Sequence, residues 1–249
     1  MSTRLPALHG LRFVAALWVV ANHLLRAWLA EHPDSAALKL VVAAPFAVTV
    51  FFVMSGFVLT WAHKDGLDKR RFFAARFSRI IPIYALAVFL ALPVGLGARK
   101  LGYVHDGYAS LMFVATMTQA WVPSAALQWD APLWSVSVEV AFYLVFPLLL
   151  PAVLRAKRST LVAVAAAGWL GSVAACVLYL VLDPDGIGSI GLDSRGFWLH
   201  LLRFNPLLLF PELFIGMVAG RFFVDGARLR LTYAVPIAAL LLALFASGV

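Results

Sequence analysis

An all-α, polytopic transmembrane helical bundle is the fold class this chain predicts. Hydrophobic residues make up 63% of it and charged residues 13%, and its mean hydropathy is +0.92. A soluble domain has roughly 45–50% apolar and about 25% charged residues. The apolar residues gather into continuous runs that reach or approach the roughly 20 needed to cross a bilayer as helix. Continuous rather than alternating runs argue against a β-barrel, the other fold that satisfies every backbone group in lipid. The net charge of +8 gathers between the runs. That pattern suits orientation in a bilayer and excludes a nucleic-acid binder, which needs a basic groove of its own.

Eight runs are expected, at 7–30, 40–62, 80–97, 108–122, 133–153, 160–182, 199–223 and 232–248. The first holds Arg12 and His23 and lacks a clean small-x-small cleavage pattern, so it reads as a retained helix rather than a signal peptide. Six Lys/Arg then fall in 64–79, "KDGLDKRRFFAARFSR", and three in 155–158, "RAKR"; Arg221 lies at the end of the seventh run, and Arg228 and Arg230 follow it. Residues 31–35 have none, and 183–196 set Arg195 against three aspartates. Positive-inside logic puts the basic stretches and the N-terminus in the cytoplasm. If all eight runs crossed, however, 64–79 and 155–158 would fall on opposite sides. One run between them is therefore expected not to span. The run at 108–122 is short, holds Thr116, Thr118 and Gln119, and ends at Pro123, so a re-entrant or half-buried segment is expected there. Cys176 is the sole cysteine and reads as a packing residue. With no inverted repeat and no linker, residues 1–249 read as a single membrane domain.

Ionisable residues inside spans are costly and so are candidates for function. Arg12 and His23 are eleven residues apart. On a helix this is about three full turns, so both face one side, separated by roughly 16 Å along the axis. A neutral imidazole can take a proton from an attacking hydroxyl, and an arginine can hold phosphate or carbonyl groups. The plainer alternative has Arg12 snorkelling to the interface and His23 bonding a neighbouring helix. Arg76 and Arg79 are three apart and share a helix face, as phosphate ligands or as a positive-inside anchor. Glu139 lies inside "PLWSVSVEVAFYLVFP", with Trp134, Ser135 and Ser137 before it and Tyr143 at i+4. A carboxylate there must be paired, protonated or wetted. It could orient His23, bind a polar substrate, or simply bond another helix. Glu212, after Pro211, poses the same choice, while Ser55 and Gly56 suit close helix packing.

Five stretches in order, "LHGLRFVAALWVVANHL", "FFVMSGFVLT", "RFSRIIPIY", "LWSVSVEVAFYLVFP" and "PELFIGMVAG", resemble the membrane-bound acyltransferase 3 family along most of the chain. The resemblance implies a multi-pass enzyme of the bacterial inner membrane. Such an enzyme takes an acyl group, usually acetyl, from coenzyme A on the cytoplasmic side. It delivers that group to a hydroxyl of a glycan, a lipid-linked sugar or a small-molecule acceptor, without a metal. It implies catalytic roles for His23, Glu139 and Arg12, and donor phosphates held by Arg76 and Arg79 with Arg12 assisting. Trp134, Ser135, Tyr143 and Glu212 become substrate-binding candidates. Both direct transfer and an acyl-enzyme on His23 or a serine are compatible with these residues. His9 stands where members often carry a small polar or acidic residue. The family usually has about ten spans, so this domain is expected to be short at its C-terminus. A proton-coupled transporter or flippase of a polar metabolite, or a non-catalytic membrane scaffold, are the alternatives the intramembrane charges leave open.

Overall fold

The structure is a computed structural model that describes residues 6–32, 44–100, 109–129, 131–188 and 196–226. The described residues form helices and turns only. Helix α1 spans Pro6–Glu31, α2 Ala44–Ala62, α3 Lys69–Lys100, α4 Ala109–Ala115, α5 Trp134–Arg155, α6 Arg158–Leu182, α7 Phe197–Phe204 and α8 Pro206–Val224. Among the described residues, five stretches are long and apolar enough to cross a membrane: Ala7–Leu25, Lys69–Gly97, Ala131–Arg155, Arg158–Leu182 and Phe197–Val224. A shorter apolar helix, Phe46–Ala62, joins them, and the protein is a multi-pass helical bundle.

Two expected stretches take a different form, and the run at 108–122 takes the non-spanning form expected of it. The basic stretch before 80–97 is helical rather than a loop, so α3 begins at Lys69. Asp68 starts it: its carboxylate accepts from the Arg71 N–H at 3.2 Å, and its carbonyl from the Phe72 N–H at 2.9 Å. The run at 108–122 does not cross. Its seven-residue helix is about 10 Å long, and the chain then turns at Met117 (φ 56°) into a 3-10 turn at Gln119–Trp121. The run at 199–223 is two helices, broken at Asn205. Pro206 has no N–H and disfavours helical backbone in the residue before it. The Asn205 side chain accepts the Leu207 N–H at 3.0 Å, capping α8. The eighth run, 232–248, lies outside the described residues, as do Arg228 and Arg230.

The non-crossing stretch is held by side chains. The Tyr84 hydroxyl on α3 donates to the Val114 carbonyl at 2.6 Å. The buried Gln119 amide donates to the Leu133 carbonyl at 2.8 Å and to the Tyr84 oxygen at 3.2 Å. Ser137 on α5 accepts the Ala120 N–H at 3.3 Å. Irregular backbone at membrane depth survives only where protein or water satisfies it, and here the neighbouring helices do so.

The tightest packing is α2 against α8. A Cβ on Gly56 would meet the Leu213 carbonyl oxygen, one on Gly216 the Val53 carbonyl, and one on Gly220 the Phe57 carbonyl. Small residues let two backbones touch, which is how helices associate without a hydrophobic drive between them. An aromatic core fills the space between α2, α3 and α5: Phe52, Phe72, Phe142, Tyr143 and Phe146, closed by Leu213 and Met217 of α8. The His63 ring just past α2 lies 5.5 Å from Phe72 and 6.1 Å from Phe146. Arg158 at the start of α6 bonds Asp225 past the end of α8 at 3.2 Å, and Arg221 completes the triad. The stretches 64–79 and 155–158 therefore lie at one end of the bundle, the basic end.

Candidate functional site

The candidate residues are strung along helices rather than gathered at one point. α1 is continuous from Pro6 to Glu31, so Arg12 and His23 do share a side of one helix. Arg12 is half-buried and His23 exposed. Neither makes a hydrogen bond or ion pair among the described residues. α1 leans on α2, with Trp18 and Phe46 rings 6.5 Å apart and Ala15 buried. No bond joins His23 to Glu139.

Glu139 is instead engaged on its own helix. The Tyr143 hydroxyl, one turn on, donates a short hydrogen bond to Glu139 Oε1. Tyr143 is buried in the aromatic core, at 6% exposure. Above its ring lies Arg76, whose guanidinium carbon is 5.9 Å from the Tyr143 centroid and 5.9 Å from that of Phe72. This is cation–π range. Arg76 Nε is buried with no hydrogen-bond partner, and no carboxylate lies within ion-pair distance of Arg76 among the described residues. Arg76 therefore carries positive charge at the basic end without a counter-ion among the described residues. Arg79, one turn further, points outward and is exposed. The two arginines thus share a helix but not an environment.

Trp134 and Ser135 sit at the opposite end of α5. Trp134 packs on Phe204 at 4.8 Å and edge-on to Phe52 at 6.2 Å. The Ser135 hydroxyl donates to the Pro132 carbonyl at 3.0 Å. Nine residues separate Trp134 from Tyr143, about 13 Å along the axis, with Glu139 between them. On α8, Glu212 Oε1 accepts the Thr49 hydroxyl of α2 at 2.9 Å, while Oε2 is buried without a partner. The polar positions of α5 and α8 therefore run from one end of the bundle toward the other.

Sequence reasoning misses Phe72, the floor under Arg76, and Thr49, the partner of Glu212. It also misses His63, whose Nδ1 bonds the Leu59 carbonyl at 2.9 Å. Phe72 carried a readable signal, since it lies four residues before Arg76 on the same helix face. Thr49 in an apolar run carried none without its partner. Among the described residues, no three His, Cys, Asp or Glu side chains converge as metal ligands. Outside the spans, Asp185 anchors α7. Burial pushes its carboxyl up, but the N–H groups of Leu199, Trp198 and Phe197 and the Tyr179 hydroxyl outweigh that and hold it below the ordinary range.

Over 153 residues the chain is 35% identical to an acyltransferase, MdmB, of Streptomyces mycarofaciens, covering 58% of this chain and 39% of that protein. It is 26% identical over 215 residues to the peptidoglycan O-acetyltransferase OatA of Listeria monocytogenes, covering 77% of this chain and 32% of the relative. To nodulation protein 10 of Rhizobium leguminosarum it is 29% identical over 220 residues, covering 76% and 59%. The chain thus spans between about a third and three fifths of the length of these relatives. No solved structure matches. The model of the acyltransferase 3 family, described as an acyltransferase domain, matches residues 5–249, and the chain belongs to that family.

Proposed function

We propose that the protein is an integral-membrane O-acyltransferase of the bacterial inner membrane, with its N-terminus in the cytoplasm. It moves an acyl group, acetyl by preference, from cytoplasmic acyl-coenzyme A to a hydroxyl of a glycan, lipid-linked sugar or small-molecule acceptor. Family membership supports the reaction class, and the relative named as a peptidoglycan O-acetyltransferase supports oxygen as the acceptor atom. One observation carries the donor end: Arg76 is half-buried with an unpartnered Nε and no counter-ion among the described residues. A guanidinium so placed is ready for an anionic ligand. Arg76 and the exposed Arg79 hold donor phosphates at the basic end, and Arg12 assists from α1.

His23 acts as the general base. Its neutral imidazole takes the acceptor's hydroxyl proton as the oxygen closes on the acyl carbon. The carbon–sulfur bond then breaks, and the imidazolium returns the proton to the departing thiolate. The products are an O-acyl ester and the free thiol, with no net proton change and no covalent enzyme intermediate. Trp134, Ser135 and Glu212 line the acceptor's approach, since they lie at or toward the end of the bundle opposite Arg76. In detergent, the purified protein is expected to release free thiol from acetyl-coenzyme A in the presence of acceptor. His23→Ala is expected to cut that rate by about 10²–10⁴-fold while the protein still inserts. Wild-type turnover in the His23→Ala protein would refute the role.

A further inference from the structure

The hydrogen bond that fixes Glu139 points away from His23 and toward Arg76. We propose that Glu139, acting through Tyr143, is a positioning residue for Arg76 and so sets affinity for the acyl donor rather than the rate of proton transfer. This rests on the donor reading above.

The geometry supports it in three steps. The Tyr143 hydroxyl is committed to Glu139, so the carboxylate locks the phenol ring in one orientation. That ring and the Phe72 ring, set at 88° to each other, form the corner in which the guanidinium sits, its carbon 5.9 Å from each centroid. A phenol donating to a carboxylate is more electron-rich, and its face attracts a cation more strongly. Glu139 thereby places a negative charge one side chain away from Arg76. No ion pair forms between them, so the arginine is steadied without being neutralised. A direct salt bridge would have consumed the charge that a phosphate needs. Nε is left buried and without a hydrogen-bond partner, the donor assigned here to that anion.

The test uses the whole chain in detergent, with coenzyme A titrated calorimetrically and acetyl-coenzyme A turned over with acceptor. Glu139→Gln and Tyr143→Phe are each expected to weaken coenzyme A binding and raise the donor KM by about tenfold, with kcat changed by less than about threefold. Combined with Arg76→Lys, either should add little, because Lys cannot use the same planar seat. His23→Ala should lose turnover and keep coenzyme A binding. Tyr143→Phe keeps the ring and guards against a Glu139→Gln protein that fails to fold. A Glu139→Gln protein with wild-type donor KM and a lowered kcat would overturn the proposal and return Glu139 to the chemistry. Additive effects with Arg76→Lys would overturn it too. A wild-type protein that binds no coenzyme A would instead sink the donor reading, an outcome distinct from both.

Discussion

At the scale of single residues, lipid makes every polar atom account for its partner. Glu139 finds Tyr143, Glu212 finds Thr49, and Tyr84 finds the Val114 carbonyl. Arg76 Nε and Glu212 Oε2 are buried without a partner, and both side chains belong to the site proposed above. Asp185 shows the same logic outside the spans. Its pKa is depressed in the folded protein, so its contribution is present above the unfolded value of about 3.9 and is lost as pH falls through the folded one. Thermal melts of wild type and Asp185→Asn should differ at pH 6, with the mutant less stable. The two curves should draw together as pH falls below about 3.9. An unchanged gap across that range would mean the carboxylate's charge is irrelevant to holding α7. Which residue types are costly in a membrane was legible from the chain. Their partners were not, because Phe72 and Tyr143 are 71 residues apart in sequence and meet only through the fold.

At the scale of elements, the crossing of α2 and α8 holds the bundle together. Gly56 and Gly216 each face a backbone carbonyl of the other helix with no room for a Cβ. Gly56→Leu or Gly216→Leu should therefore force the helices apart and cost about 1–3 kcal/mol or more, read as a lower Tm in detergent. Gly171→Leu, on the open face of α6 where a Cβ meets nothing, should be tolerated. Equal melting of all three proteins would remove this crossing as the structural centre. The motif stretch around Gly56 signalled close packing from sequence, but not that its partner was the glycine-bearing face of α8. Element boundaries were less legible. Arg76 and Arg79 belong to a helix that starts at Lys69, because Asp68 begins it and "KRRFFAARFSR" has no helix breaker. The break at Asn205 was readable in principle from Pro206, though an apolar run on both sides masked it.

At the scale of the whole molecule, charge and depth define two ends. Cysteines placed at Lys69 and at Lys157 should both react with an impermeant thiol reagent from the same side of sealed vesicles. Labelling from opposite sides would contradict the shared basic end that His63, Phe146, Arg158 and Asp225 build. Fold class followed from hydropathy, and the non-crossing segment from counting charges between runs. The relation of α1 to the rest did not follow from sequence. Same-face spacing aligns Arg12 with His23, yet says nothing about which helix their shared side meets. His23 is the residue proposed to catalyse acyl transfer to a hydroxyl. Mass analysis of surface glycans and extracted metabolites, from cells carrying the wild-type chain or His23→Ala at equal membrane levels, tests it most directly. An acetyl-sized mass addition is expected in the wild type and absent from His23→Ala; the same acetylated species in both would rule out a catalytic His23.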